Sequence, residues 1–422
     1  MPAIRYPLAR VPQLLFGSRR DPIGWLEALA REGDLVNIQF PSAPVYYAFH
    51  PDIIRECLAT QQSSFEKGRG IQRLRLILGN SALTLEGEKH VKRRRALQPL
   101  FRQERLNEYA NAIIERAYET TTCWRDAQII DVANEMTRLT LAIASQVFLG
   151  LRLNSDEIAS ASTALSQVVD MFGVLMLPRG DKLVRLPLLS VKRFLAARDT
   201  LRSLARRAHS EIYSCIANGN DNAEYAIDEL VTLLIAGHET TALMLTWAIY
   251  LLTQHPTVLE KARCDIERQQ DSEHSASDSI TRVPFLRAVL SETLRLYPPV
   301  WGIGRRTIEQ VILDGEIIPE GAFVTISPWV IHRDARFYSA PDSFCPERWE
   351  NGNPPPYAYI PFGGGARRCI GETFAWMEGA LILATILPRW NFKPVSSPPD
   401  VKPGFTLRPR SPILIRVTQR AE

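Results

Sequence analysis

The fold of this chain is decided by the stretch Phe362-Gly-Gly-Gly-Ala-Arg-Arg-Cys-Ile-Gly371. Its cysteine, Cys369, stands just before a long apolar segment, 372–387, which predicts a buried helix. The dipole and the unpaired N–H groups of a helix N-terminus favour the thiolate form of such a cysteine. Consecutive glycines let the backbone approach a flat group, and Arg367 can pair with a carboxylate. Together these features indicate a haem group that is bound through a cysteine thiolate.

The same stretch has two simpler interpretations. A lone cysteine is commonly a buried and inert side chain, and a glycine-rich turn before a helix can bind phosphate. Phosphate loops carry Gly-Lys-Ser or Gly-Lys-Thr after the glycines, and neither follows them here. Because distant motifs described below agree with haem ligation, we favour it over both alternatives.

The stretch resembles the haem-binding loop of the cytochrome P450 family, whose pattern is Phe-x-x-Gly-x-Arg-x-Cys-x-Gly. The matching positions are Phe362, Gly365, Arg367, Cys369 and Gly371. The resemblance implies that the cofactor is haem b, iron protoporphyrin IX, and that the sulfur of Cys369 is the axial ligand of its iron. It also implies that the other matching residues form the cofactor-binding loop.

The composition is that of a globular protein. Of the 422 residues, 45% are hydrophobic and 23% are charged, which is typical of soluble domains. We find no linker rich in glycine, serine or proline and no internal repeat. One catalytic domain that spans residues 1–422 is therefore predicted, although the length alone would allow two or three domains.

The hydrophobic pattern predicts a mainly α protein with small β-sheets. Helical periodicity dominates the region 51–270, and short strand-like runs with a turn between them predict a hairpin over 35–49. The resemblance implies the cytochrome P450 fold, with the haem between a long helix at about 223–253 and the cysteine loop with its helix. Further predicted helices are 21–32, 130–150, 283–296 and 370–387. Further predicted short strands lie around 304–313, 322–326, 389–393, 405–408 and 412–417.

Charge and cysteine usage exclude several classes of protein. The net charge of +4 gives no nucleic-acid-binding footprint. The six cysteines show no spacing typical of a zinc site or of a disulfide framework. The apolar run 11–16 near the N-terminus is too short to span a bilayer. We therefore expect a cytoplasmic, monomeric protein without a membrane span and without a nucleic-acid partner.

A charged motif on the predicted helix 283–296 resembles a second family signature. Glu292 and Arg295 lie at i and i+3, and Arg348 follows in the sequence Pro346-Glu-Arg-Trp349. A carboxylate between two guanidinium groups must be fully hydrogen-bonded if it is buried. The simpler interpretation is an exposed ion pair of little value. The resemblance implies a structural bracket of Glu292, Arg295 and Arg348 that positions the cysteine loop.

Polar residues interrupt the apolar helix 230–252 at Ala236-Gly-His-Glu-Thr-Thr241. The hydroxyl of Thr240 can bond to a carbonyl one turn earlier, and we expect a local opening of the helix there. The alternative is a helix whose polar groups face solvent. The resemblance implies that Ala236 lies on the distal side of the haem, that Thr240 stabilises dioxygen at the iron and that Glu239 relays protons from solvent.

Further cationic residues match positions that contact the haem propionates in the family. His90 and Arg94 lie at i and i+4 on one predicted helical face. Arg305 is a third candidate, and its neighbour Arg306 is an alternative to it. On spacing alone, His90 would be interpreted as an ordinary surface histidine.

The substrate residues are mostly large and apolar, so ordinary core packing is the alternative interpretation for each. The resemblance implies a hydrophobic small molecule such as a fatty acid, terpene, steroid or polyketide. The candidate substrate contacts are Leu74, Ile77, Phe172, Val300, Trp301 and Phe405.

The resemblance implies a haem-thiolate monooxygenase that inserts one atom of O₂ into its substrate by hydroxylation or epoxidation. Electrons would come from a ferredoxin or flavodoxin with its NAD(P)H-dependent reductase, which would dock on the basic residues 89–95 together with Arg368. Two alternatives stay open at this point. One is isomerisation, dehydration or oxidative coupling at the same haem, and the other is a haem-thiolate sensor without turnover.

Overall fold

A computed structural model describes most of the chain as two compact units. The described residues are 4–6, 21–40, 42–176, 180–184, 186, 188–209, 212, 214, 216, 223–270, 283–350, 352–397 and 399–420. The first unit comprises Met1–Arg73, Leu294–Phe344 and Gly352–Cys369. The second unit comprises Leu74–Thr293, Cys345–Asn351 and Ile370–Glu422.

The first unit is organised around a six-stranded mixed sheet. The strands of this sheet are β1 (Ile4–Tyr6), β2 (Leu35–Gln39), β3 (Pro44–Ala48), β4 (Phe65–Lys67), β6 (Ile303–Thr307) and β9 (Phe323–Ile326), and a separate hairpin is formed by β7 (Val311–Leu313) and β8 (Glu316–Ile318). The order in the sheet is β1-β2-β3-β9-β6-β4. The antiparallel pair β2–β3 is the hairpin that the sequence predicts, with Val36 opposite Tyr47.

Short helices complete the first unit. The first of them begins after Asp21, whose side chain accepts a hydrogen bond from the backbone N–H of Gly24, and it has proline in its first turn. The helices are α1 (Pro22–Glu32), α2 (Pro51–Arg55), α3 (Arg69–Arg73) and α14 (Pro328–Ile331), with a π-helical turn at Glu56–Thr60.

The second unit is mostly helical and is built on a long central helix, α11 (Ala223–Gln254), which packs against α7 (Val132–Leu149). The other helices are α4 (Arg75–Leu78), α5 (Gly87–Leu97), α6 (Gln103–Thr122), α8 (Ser155–Met176), α9 (Gly180–Leu183), α10 (Leu189–Arg206), α12 (Pro256–Gln270), α13 (Pro284–Leu296), whose last residues belong to the first unit, and α15 (Glu372–Ile386).

Two small sheets belong to the second unit. A three-stranded antiparallel sheet has the order β10-β13-β5, and β11 pairs with β12. The strands are β5 (Ile129–Asp131), β10 (Trp390–Pro394), β11 (Val401–Pro403), β12 (Leu407–Pro409) and β13 (Leu414–Gln419).

The predicted fold class is confirmed, since 59% of the chain is helical and 13% is strand. The predicted start of the helix 130–150 was wrong. The sequence predicts a helix over 130–150, but residues Ile129–Asp131 pair with β13 as a strand, and Asp131 then caps α7 by accepting from the N–H of Ala133. Tertiary pairing with a strand far along the chain decides this boundary, and local periodicity does not contain that information.

Two described helical segments are long and apolar enough to cross a membrane by length and composition, Ser155–Leu175 and Glu224–Gln254. In the second, 83% of the most apolar window is buried within the fold, as is usual for a core helix of a globular protein.

That residues 1–422 act as one catalytic domain stays a prediction.

Candidate active site

The cysteine loop of the first unit is closed by backbone hydrogen bonds. The N–H of Cys369 donates to the carbonyl of Phe362 at 3.0 Å, and the N–H of Arg368 donates to the carbonyl of Gly365 at 3.1 Å. The loop therefore returns on itself between Phe362 and Cys369. Cys369 is exposed at its end, where the sulfur is accessible to a ligand.

Two of the loop glycines are required by close approach. Gly365 has φ +66°, in the left-handed region, and a Cβ atom there would overlap the carbonyl oxygen of Leu58. At Gly364, a Cβ atom would lie 2.8 Å from the ring of Tyr357. The loop thus lies directly against the backbone of Leu58, and only glycine permits this approach.

Arg367 connects the loop to the segment before β4. Its guanidinium donates to the carbonyls of Gln62 at 3.0 Å and Phe65 at 2.7 Å. The side-chain oxygen of Gln62 also accepts from the N–H of Ala366 at 2.6 Å. In the structure, Arg367 therefore stabilises the loop through backbone carbonyls, and its contact with a haem carboxylate stays a prediction.

The two adjacent arginines on β6 have different environments. Arg305 is buried, and its guanidinium donates to the carbonyl of Gly304 at 3.0 Å. Arg306 is exposed and forms an ion pair with Glu66 at 2.9 Å. Because Arg306 already has an acidic partner at the surface, the geometry favours Arg305 as the candidate for an internal carboxylate.

Glu292 is fully buried in the second unit, and its carboxylate accepts hydrogen bonds from the segment 345–349. Its carboxylate receives the Nε–H of Arg348 at 3.0 Å, the backbone N–H of Cys345 at 3.0 Å and the indole N–H of Trp349 at 2.9 Å. A buried carboxylate with this many donors is fully compensated. The structure brings Glu292 and Arg348 together and adds Trp349, which the sequence motif contains but the prediction did not use.

Arg295 anchors a different segment, within the first unit. It is completely buried, and its guanidinium donates to the carbonyls of His332 at 2.9 Å and Ser343 at 3.0 Å, and to that of Pro341. Burial and nearby arginines lower the pKa of His332 to about 3, so its ring is neutral and accepts from the N–H of Ile360. Arg295 therefore holds the chain at 341–343, upstream of the cysteine loop.

The central helix α11 has one accessible face. Between Ala226 and Leu252, all of which the structure describes, every residue is buried except Ala236, Gly237 and Thr240. These positions follow i, i+1 and i+4 and share one side of the helix. A narrow accessible strip of small residues in an otherwise buried helix is suited to contact with a small molecule.

Thr240 is accommodated without a break in the helix. Its hydroxyl donates to the carbonyl of Ala236 at 2.8 Å, as the sequence predicts. The helix is nevertheless continuous from Ala223 to Gln254, so the expected local opening was wrong. Gly237 is required by packing, because a Cβ atom there would lie 2.9 Å from the ring of Phe148 on α7.

Glu239 is buried beside Thr240 and is held by the β11–β12 hairpin. Its carboxylate accepts from Nε of Arg408 at 2.7 Å and from the hydroxyl of Thr406 at 2.8 Å. Burial acts to raise the pKa of Glu239, but the charge and hydrogen bond of Arg408 outweigh it and hold the pKa below its usual value of 4.5. Glu239 is therefore ionised at neutral pH.

His238 is a core residue. Its Nδ1 lies 2.9 Å from the carbonyl oxygen of Leu234, and burial lowers the pKa of the ring. The neutral ring is not a charged partner for Glu239, although Nε2 lies 3.8 Å from that carboxylate. His238 therefore belongs to the packed interior around α11.

The cationic residues of helix α5 differ in their burial. His90 is buried and Arg94 is half-buried, on one face of the helix. Arg93 is also buried, and its guanidinium lies 4.2 Å from the ring centroid of Tyr225 on α11. The expectation that Arg93 belongs to an exposed basic surface was therefore wrong, since a cation–π contact holds it inside.

Two aromatic candidates for substrate contact meet in the second unit. The rings of Phe172 and Phe405 pack edge to face with centroids 4.9 Å apart, and both side chains are half-buried. In the same unit, Leu74 and Ile77 are buried at α4, which packs on α11. In the first unit, Val300 is exposed and Trp301 is half-buried, its carbonyl accepting from Ser327.

The residues present fit a haem group. Cys369 is exposed, and a cysteine thiolate is one of the protein groups that bind haem iron. The glycines around Gly365 bring the backbone close without side chains, and the buried Arg305 supplies a cation for an acidic substituent. In the first unit, Cys369, Arg305 and Arg367 are the residues that could hold it. That His90 and Arg94 of the second unit also contact the haem stays a prediction.

Sequence reasoning missed the roles of three polar residues. Arg408 and Thr406 bind Glu239 from the β11–β12 hairpin, and no local pattern connects them to it. Glu378 on α15 is completely buried, and burial raises its pKa to about 8. A charged residue within the apolar run 372–387 was the signal that could have identified Glu378.

Comparison with known proteins identifies the family of this chain. The family model described as Cytochrome P450 matches residues 6–416. The chain is 31% identical to cyclooctatin synthase of Streptomyces melanosporofaciens, over 93% of this chain and 88% of that protein. It is 30% identical to cyclooctat-9-en-7-ol 5-monooxygenase of the same organism, over 92% and 87%.

A solved structure agrees as well. The crystal structure of CYP175A1 from Thermus thermophilus superimposes with a TM-score of 0.81 at 27% identity, covering 98% of this chain and 99% of that one. The chain belongs to the cytochrome P450 family.

Proposed function

We propose that this cytochrome P450 oxygenates a cyclic, apolar hydrocarbon or alcohol of the terpene class. The chain is a haem-thiolate monooxygenase, an oxidoreductase that uses haem, dioxygen and redox partners to act on a hydrophobic substrate. The observation that carries the oxygenation is the accessible strip of α11, where the half-buried Thr240 adjoins the buried, ionised Glu239.

Cys369 is proposed to bind the iron of haem b through its thiolate. Arg305, Arg367, His90 and Arg94 are proposed to bind its propionates. Phe362, Gly365 and Gly371 shape the loop, and Ala236 presents a surface without a bulky side chain on the accessible strip. The haem, when bound, supplies the redox chemistry that activates dioxygen.

Thr240 and Glu239 are proposed to move protons. The hydroxyl of Thr240 can donate toward the accessible face of α11 when it leaves the carbonyl of Ala236. The carboxylate of Glu239 is ionised and can accept a proton from water before passing it on. Its ion pair with Arg408 must loosen for this to happen, because the charge and hydrogen bond of Arg408 hold the pKa of the carboxyl low.

The substrate class rests on a relative and on the character of the candidate lining. The similar cyclooctat-9-en-7-ol 5-monooxygenase acts, by its name, on an unsaturated cyclic alcohol. The candidate contacts in the second unit, Leu74, Ile77, Phe172 and Phe405, are all apolar. Such a lining favours a compact hydrocarbon skeleton over a strongly charged substrate.

Electrons are proposed to come from a ferredoxin or flavodoxin with its NAD(P)H-dependent reductase, and the protein is proposed to be monomeric and cytoplasmic. The docking surface would include Lys89, Lys92 and Arg95, which are exposed on α5. Lys92→Glu is expected to slow reduction, more strongly at low salt. Unchanged reduction rates at low salt would argue against docking at α5.

The test combines spectra with product analysis. The reduced carbon monoxide adduct should show the red-shifted band of a thiolate-ligated iron, and Cys369→Ser should abolish it. A panel of cyclic terpenes is then screened for a low-spin to high-spin shift, and products are analysed after turnover under ¹⁸O₂. One labelled oxygen atom in the product is expected. A rearranged or dehydrated product without label, or binding without NAD(P)H-dependent turnover, would contradict the proposal.

Thr240→Ala separates proton delivery from binding. We expect the variant to retain the spin shift while it consumes NAD(P)H without forming an equivalent amount of product. Thr246→Ala is a matched control, since Thr246 lies on the same helix, is buried and bonds to the carbonyl of Ala242. Equal coupling in the two variants would remove Thr240 from the reaction.

A further inference from the structure

One buried carboxylate near the start of α11 contacts two other elements of the second unit. Asp228 is 6% exposed. Its Oδ2 accepts the backbone N–H of Asn80 at 2.7 Å, and its Oδ1 accepts from the guanidinium of Arg202 on α10 at 2.6 Å. Each oxygen of one carboxylate therefore serves a different element, the loop 79–82 and helix α10.

The loop 79–82 has a second attachment to the same helix. Oε1 of Glu229 accepts the backbone N–H of Ala82 at 2.7 Å. Gly79 has φ +61°, and a Cβ atom there would overlap the carboxylate of Asp228. The loop thus lies directly on α11, and glycine at position 79 is required both by backbone conformation and by this approach.

The attached loop continues directly from the candidate substrate residues. Leu74 and Ile77 lie at α4, immediately before it, and Nε of Arg75 donates to the side-chain oxygen of Asn80 at 2.6 Å. Asp228 precedes Thr240 by twelve residues on the same helix, a distance of about 18 Å along the axis. Asp228 is therefore too far along the helix to touch the reacting atoms, and any effect on them passes through the loop.

We propose that Asp228 is a positioning residue for substrate binding, which couples the loop 79–82 to helix α10 so that both leave α11 together. This inference rests on the proposed function, because α4 is assigned to the substrate pocket there. It adds to that function a residue which determines how the pocket opens.

The loop 79–82 and helix α10 are coupled because both bind the one carboxylate of Asp228. With Arg202 removed, the buried carboxylate loses its cation and turns toward water, which weakens its bond to the N–H of Asn80. With the loop displaced, water reaches Asp228 and weakens its attraction to Arg202. Arg202 also pairs with Glu224, whose side chain is 58% exposed, so that outer pair is the weaker of the two.

Hydrogen exchange on the haem-loaded protein tests the coupling without any substrate. Arg202→Gln is expected to speed exchange of the Asn80 amide by about tenfold, although Arg202 makes its described contacts with Asp228 and Glu224 and not with the loop. Glu224→Gln is the matched control and should change that exchange by less than about twofold. Arg202→Lys keeps the charge and should restore most of the protection. Unchanged exchange at Asn80 in a folded Arg202→Gln protein would overturn the proposal.

Substrate titration tests the consequence. Asp228→Asn and Arg202→Gln should each weaken the spin-shift affinity for the best cyclic substrate by about threefold to tenfold while leaving kcat within about twofold. The double variant should lose no more than the weaker-binding single variant, because both changes break one unit. Losses that multiply would show two independent contacts and would overturn the coupling.

The two arms separate this proposal from the proposed function. If no terpene shifts the spin state, the substrate class is wrong, but the exchange experiment still decides whether Arg202 and the loop are coupled. If spin shifts and labelled products are found while the exchange rate of the Asn80 amide is the same with and without Arg202, the monooxygenase function is supported and the proposed role of Asp228 is wrong.

Discussion

The ion pair of Glu239 and Arg408 allows a quantitative test of the electrostatics at α11. The change is Arg408→Gln, which removes the cation and keeps a polar side chain of similar length. The side chain of Glu239 is 7% exposed, and that of Arg408 is 30% exposed. Removing one partner of a buried pair costs about 3–5 kcal/mol, and the partial exposure of Arg408 places the expectation at about 3 kcal/mol at pH 8.

The cost should depend on pH with a definite sign. In the unchanged protein the pKa of Glu239 is below its usual 4.5, so its stabilisation is present above that pH and is lost as the pH falls through the folded-state value. In Arg408→Gln, burial remains without the opposing cation, so the pKa should rise above 4.5. The variant should then lose stability as the pH increases, and the difference between the two proteins should be small at pH 4.5 and largest near pH 8.

The assay is urea unfolding of the haem-loaded protein, followed by both far-UV circular dichroism and haem absorption, and analysed where the two transitions coincide. Arg410→Gln is the matched control, because Arg410 is exposed and lies two residues further along the chain. Arg408→Gln combined with Glu239→Gln should recover most of the loss, because no uncompensated charge is then buried. A loss that is equal at pH 4.5 and pH 8, or a double variant as unstable as the sum of the singles, would refute the reasoning.

Three further changes test other parts of the structure. Gly365→Ala should abolish haem incorporation, because the added Cβ would overlap the carbonyl oxygen of Leu58. Gly363 has φ +71° and its nearest contact is at 3.9 Å, so Gly363→Ala should lower the unfolding free energy by only about 1–2 kcal/mol and retain haem. Equal haem content in the two variants would contradict this. The pKa of Glu378 is about 8 in the folded protein and 4.5 when unfolded, so its contribution to stability is present below pH 4.5 and is lost as the pH rises through 8. The advantage of Glu378→Gln in unfolding free energy over the unchanged protein should therefore increase by about 2–3 kcal/mol from pH 6 to pH 9. Parallel pH profiles of the two proteins would count against this. Arg295→Ala should lower the haem-to-protein ratio and cost at least about 3 kcal/mol by leaving buried carbonyls unsatisfied, with Arg295→Lys intermediate; a normal haem ratio would remove its structural role.

Residues whose role depends on near neighbours were predictable from the sequence. The bond from Thr240 to the carbonyl of Ala236 spans one helical turn, and the cap of α1 by Asp21 spans three residues. The hairpin β2–β3 follows from two short apolar runs with a turn between them. In each case the interacting atoms are brought together by the geometry of a single element, which residue spacing encodes directly.

Tertiary structure decided which groups share a buried environment. Arg408 and Glu239 are separated by 169 positions, and Arg202 and Asp228 belong to different helices. The sequence predicts Arg93 as a surface cation within a basic run, but in the folded protein its guanidinium packs over the ring of Tyr225. Spacing specifies the chemistry of the cysteine loop and the presence of an acid beside Thr240. Which cation compensates that acid depends on the packing of distant segments, because burial and charge pairing are properties of the folded surroundings.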